Sequence, residues 1–66
     1  MQIIYEATAY PHPPKDFTDE IEARKFVEAV GEGRVVTFVR GFDGRERSAA
    51  MSKYENGTWN GINIHE

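Results

Sequence analysis

Arg40, Arg45 and Arg47 crowd around the dipeptide Asp43-Gly44, and of all the side chains in this sequence they are the best suited to hold an anion. A guanidinium binds phosphate or carboxylate through two parallel hydrogen bonds, which a lysine cannot do. Asp-Gly favours a tight hairpin turn. A two-residue turn there sets Arg40 directly across from Arg47, and like charges in that position repel. A bound phosphate, a nucleotide or a partner's carboxylate would relieve the repulsion. So would Asp16, Asp19 and Glu20, which lie near the start of a predicted helix at the same end of the sheet. The first alternative makes the arginines an anion site shared between subunits of an oligomer; the second makes them part of an internal ion-pair network.

A second group of residues suits macromolecular contact. Tyr54 and Trp59 flank Asn56-Gly57, another strong hairpin signal, and form a cross-strand aromatic pair. With Val35, Thr37, Val39 and Ala50 they fall on the sheet face that the single predicted helix is expected to leave bare. Tyrosine and tryptophan are common anchors in such patches. The plainer reading is a half-solvated antiparallel sheet, since Thr37, Ser48, Ser52 and Asn63 dilute the same face.

Reaction chemistry finds little support. Ser48 and Ser52 lie in mid-strand with no histidine at a suggestive spacing, and Gly31-Glu32-Gly33 follows a helix where a phosphate loop would open one. Glu20, Glu22 and Glu28 alternate with Arg24 and Lys25, as on a solvated helix face. His12 sits in the segment Pro11-His12-Pro13-Pro14 and His65 near the end of the sequence, so neither a metal site nor a cofactor is expected. The prolines themselves read as a stiff connector or, less simply, as a short polyproline ligand. No catalytic residue is assigned.

The elements that position these residues follow from pattern. Gln2 to Tyr10 is rich in β-branched and aromatic residues and reads as a strand, with Ile3, Tyr5 and Ala7 facing inward, Ile4 leaving the opposite choice open. A helix follows, capped by Asp16 or Thr18, with Asp19 and Glu20 in its first turn. Its apolar stripe is Ala23, Phe26, Val27 and Val30, and Gly31 and Gly33 end it. Ile21 lies off that stripe. Three strands complete the chain: Arg34 to Phe42, Arg45 to Tyr54, and Thr58 to Ile64. Two-residue turns at both hairpins pair Val36 with Met51, Phe38 with Ala49, Met51 with Ile62 and Ala49 with Ile64, giving one apolar face for the helix to cover. The expectation is an α+β fold, β-α-β-β-β, a three-stranded antiparallel meander plus the N-terminal strand with one helix on one face. A right-handed crossover would set the first strand parallel to the second; which edge of the meander it joins is open.

The chain of 66 residues carries a net charge of −3 and no cysteine. That length suits one domain with a small core, in which about 60% of the unfolded chain's surface becomes buried. The acidic balance argues against a nucleic-acid binder held by bulk electrostatics, although Tyr54 and Trp59 could in principle stack bases. No signal peptide and no apolar run of membrane-spanning length is present, so a cytoplasmic protein is expected. The leading expectation is a small non-enzymatic protein that acts by binding another protein or by self-association. Small acidic chains of this type are frequent among phage and mobile-element accessory proteins that block host enzymes such as defence nucleases. The alternative is an oligomer that binds a nucleotide-like anion through Arg40, Arg45 and Arg47.

Overall fold

A computed structural model describes residues 2–62, Ile62 by its backbone alone. The elements are β1 (Gln2–Thr8), β2 (Lys15–Phe17), α1 (Glu20–Val30), β3 (Gly33–Arg40), β4 (Glu46–Glu55) and β5 (Thr58–Ile62). The strands form one antiparallel sheet in the order β2-β1-β3-β4-β5. The α+β class, the meander and the single helix on one face are as the sequence indicates. The expected strand positions 63 and 64, and with them Ile64 and the Ala49–Ile64 pairing, lie outside the described residues.

The proline segment does more than connect. The N–H of His12 donates to the Ala9 carbonyl at 2.9 Å, and the chain doubles back. Lys15–Phe17 then returns along β1, with Tyr5 opposite Phe17 and Glu6 opposite Asp16. Because the chain has reversed before the helix begins, no parallel crossover forms. β3 instead runs antiparallel to β1, with Ile4 opposite Phe38 and Glu6 opposite Val36. The N-terminal strand therefore joins the meander at β3.

With Asp16 taken into β2, the helix cap falls to Asp19, not to Asp16 or Thr18. Asp19 has extended backbone angles (φ −123°, ψ 122°), and its Oδ1 accepts from the Ile21 N–H at 3.0 Å. Gly31 closes the helix with φ 108°, and its N–H donates to the Val27 carbonyl at 2.9 Å. Only glycine enters that left-handed region without strain. Ala23 and Val27 are fully buried, Phe26 is half-buried, and Ile21 is 63% exposed.

The helix covers the face opposite to the one expected. The buried core is Ala7, Ala9, Ala23, Val27 and Val35, with Tyr5, Phe17, Phe26, Tyr54 and Trp59 packed around it. Val36, Phe38 and Met51, expected beneath the helix, lie on the other side. The reason is steric. Small residues let the helix settle close to the sheet. A Cβ on Gly33 would collide with the Thr8 carbonyl oxygen and come within 3.0 Å of Val27 Cγ1 and 3.1 Å of Ala9 Cα. Phe38 and Met51 in the positions of Val35 and Ala7 would hold the helix away. The choice of Tyr5 and Ala7 as inward residues stands; Ile3 on the same side is 43% exposed.

The two hairpins differ. Asn56 (φ 54°) and Gly57 (φ 74°) form the expected two-residue turn, and Tyr54 pairs with Trp59 and Met51 with Ile62. At the other hairpin the turn is Gly41–Gly44: the Gly44 N–H donates to the Gly41 carbonyl at 3.1 Å, and the Gly41 N–H to the Arg45 carbonyl at 2.9 Å. Asp43 Oδ1 accepts from the Arg45 N–H at 3.0 Å. This turn shifts the register by one, so Arg40 faces Glu46 and Phe38 faces Ser48. A bulge then leaves Ala49 as the extra residue and restores the expected pairing of Val36 with Met51.

Candidate interaction surface

The helix-free face is assembled by the ladder, since alternate residues along a strand share a side. At its centre Ile4 lies beside Phe38, and Val36 beside Met51, with Val36 and Phe38 consecutive along the same face of β3. All four are only half-buried, because no element of the described chain lies over them. Together they make one contiguous apolar patch.

Charged pairs border it on two sides. Toward the β2 edge Glu6 lies opposite Asp16. Toward the helix C-terminal end of the sheet Arg34 lies opposite Lys53. Each is a like-charge pair, and among the described residues none of the four side chains forms an ion pair. An open groove of about 570 Å³ runs beside the basic pair, with Thr8, Tyr10, Glu32 and Met51 among its lining residues. At the opposite end of the face Arg40 is satisfied by an ion pair with Glu46 and a hydrogen bond to Gln2 Oε1 at 3.4 Å.

The residues expected to contact a partner lie on the helix side. Val35 is 3% exposed and belongs to the core. The rings of Tyr54 and Trp59 stack with centroids 4.9 Å apart. Trp59 Nε1 donates to Glu28 Oε2 at 2.8 Å, and the Arg24 guanidinium lies 4.8 Å from the indole centroid. The aromatic pair thus fastens the β4–β5 hairpin to the helix, with a cation–π contact from the helix's own Arg24. Thr37 and Val39 are half-buried further along the same side. The patch residues Ile4, Val36, Phe38 and Met51 were missed as surface candidates because their apolar pattern assigned three of them to the core.

The three arginines do not form one cluster. With the shifted register Arg40 shares a ladder row with Glu46, and Arg47 shares one with Val39, so Arg40 and Arg47 lie on opposite faces. The expected repulsion between them is absent. Compensation comes from the hairpin itself, through Glu46 and through Asp43, 3.9 Å from Arg45. The carboxylates near the helix start have other roles: Asp19 caps, Asp16 lies in β2, and Glu20 pairs with Arg24 at 3.2 Å. Arg45 and Arg47 still line a shallow groove of about 340 Å³ with the exposed Phe42. The His12 ring packs edge-on against Phe26 at 5.9 Å; His65 lies outside the described residues.

Among the described residues no helix is long and apolar enough to cross a membrane. Comparison with known protein families, with curated proteins and with solved structures finds no match for this chain.

Proposed function

We propose that this chain is a small non-enzymatic binding protein that acts by applying the helix-free face of its sheet to another protein surface. The observation that carries this reading is the distribution of apolar side chains. Among the described residues the closed core has Val27 as its only fully buried side chain larger than alanine, while Ile4, Val36, Phe38 and Met51 form a continuous patch on the other side of the sheet. A protein with so little sealed core gains most from a partner that covers the remaining apolar surface. Contiguous exposed apolar surface with a charged border is the usual composition of an interaction site. The short length and acidic charge also support the narrower reading of an accessory protein that blocks a host enzyme such as a nuclease.

The test uses the chain as bait in parallel with two variants. Proteins retained by the wild type should be lost with Phe38→Asp, which places a charge in the patch. They should remain with Phe42→Asp, which alters an equally large aromatic that is 96% exposed in the Gly41–Gly44 turn. Retention that is indifferent to Phe38→Asp in a folded variant would remove this face from consideration.

A further inference from the structure

The charges on the helix-free face have a pattern that a solitary chain does not explain. Glu6 and Asp16 are direct cross-strand neighbours, and so are Arg34 and Lys53. Directly opposed like charges destabilise a sheet. This sheet carries one such pair of each sign, on one face, on either side of one apolar patch, and none of the four has an ion-pair partner among the described residues. Elsewhere the same protein matches its charges locally, as Arg40 with Glu46 and Arg24 with Glu20 show. A twofold interface meets the same patch on both copies, so a surface carrying one unmatched pair of each sign is charge-complementary to itself.

We infer that the partner for this face is a second copy of the chain, packed sheet to sheet about a twofold axis running along the strands between β1 and β3. This rests on the reading of the face as an interaction surface. Such an axis exchanges β1 with β3 and β2 with β4, given the strand order β2-β1-β3-β4-β5. Glu6 then lies over the partner's β3, which carries Arg34, and Asp16 over the partner's β4, which carries Lys53. The acidic and basic pairs are one ladder row out of step, two residues or about 7 Å along the strand, a span that arginine and lysine side chains cover. The same operation sets Ile4 over the partner's Phe38, because these two residues already share a row within the chain. The open groove beside Arg34 and Lys53 is where the partner's acidic edge enters. Both repulsive pairs are neutralised, and the apolar patches cover one another.

The experiment is a reciprocal charge reversal followed by sedimentation equilibrium or light scattering at micromolar concentration. Wild-type protein should have twice the chain mass and should dissociate on dilution. The double variant Arg34→Glu/Lys53→Glu should be monomeric, as should Glu6→Lys/Asp16→Lys. An equimolar mixture of the two should recover a dimer containing one of each. A wild-type chain that stays monomeric up to hundreds of micromolar would overturn the inference. So would a mixture that fails to associate while both variants remain folded by circular dichroism. A monomer whose bait experiment still depends on Phe38 would leave the interaction reading in place with a different protein as partner. A monomer whose bait is indifferent to Phe38 would remove both.

Discussion

The centres of the two sheet faces differ in side-chain size more than in polarity, although Tyr5, Phe17, Tyr54 and Trp59 ring the centre on the helix side. Under the helix lie Ala7, Ala9, Val35 and Gly33, against Ala23 and Val27 from the helix itself. On the other side lie Ile4, Val36, Phe38 and Met51, larger and at least as apolar, yet uncovered by the described chain. A helix of eleven residues with two fully buried side chains cannot seat itself on a surface of phenylalanine and methionine without leaving gaps. It seals the strip of small residues between those aromatics, and the bulkier centre of the other face remains for another surface to fill. Hydrophobicity decides that both faces seek cover; shape decides which one the chain covers by itself.

That contrast predicts opposite responses to the same chemical insult. Val35→Asp buries an unpaired carboxylate beneath the helix and should cost more than about 4 kcal/mol, enough to unfold a domain this small. Thermal or urea unfolding should show no cooperative transition. Gly33→Val should follow, at about 3 kcal/mol, because its side chain would overlap the Thr8 carbonyl and the Val27 methyl. Phe38, directly opposite Ser48 in the ladder, lies on the open side, so Phe38→Asp buries no charge beneath the helix. It should leave cooperative unfolding intact and instead weaken association by about 2 kcal/mol or more, the effect of deleting an interface anchor. Comparable destabilisation by Val35→Asp and Phe38→Asp would erase the distinction between the faces.

The helix side also has a smaller, local tether. Trp59→Phe keeps the ring stacked on Tyr54 but removes the hydrogen bond to Glu28, so the loss should be about 1 kcal/mol. Glu28→Gln in the Trp59→Phe background should add little, and a double-mutant cycle measures that coupling. Additive losses would mean that the indole N–H and the carboxylate do not act together.

These cases also mark how far the residues alone can be read. Asn56-Gly57 specifies its turn because both positions need positive φ, and the pairing of Met51 with Ile62 follows from it. Asp43-Gly44 is a weaker signal, since an aspartate can equally accept from the N–H two residues on and close a longer turn, as Asp43 does with Arg45. The bulge at Ala49 that repairs the register has no mark of its own, because alanine fits either side of a sheet. β2 is three residues long and preceded by prolines, so no periodicity can announce it. The covered face was misjudged because Val35 and Val36 are equivalent on any hydropathy scale, while the fit of the helix depends on Ala7, Ala9 and Gly33 from distant parts of the chain. Of the surface now implicated, the apolar residues are legible as a set, and the Arg34–Lys53 pair follows from the same hairpin register that pairs Val36 with Met51; the Glu6–Asp16 pair appears only once β2 is known to flank β1.

The smallest expected effect is also the most discriminating, because its sign depends on concentration. Lys53→Glu replaces the Arg34–Lys53 repulsion within the sheet by an attraction, which should stabilise the isolated chain by about 0.2–1 kcal/mol. In a dimer the same substitution sets the new carboxylate against the partner's acidic pair and weakens association. Dimerisation raises Tm in proportion to the logarithm of protein concentration, and a weakened dimer loses that slope. The variant should therefore melt above the wild type in dilute solution and below it when concentrated, with the two lines crossing near the dissociation constant of the wild-type dimer. High salt should bring both lines together at the dilute end, since the exposed charges are screened there. Differential scanning fluorimetry over a hundredfold dilution series measures all of this in one plate. Parallel lines, with Lys53→Glu above the wild type at every concentration, would mean that the like-charge pair is a strain the monomer carries without return.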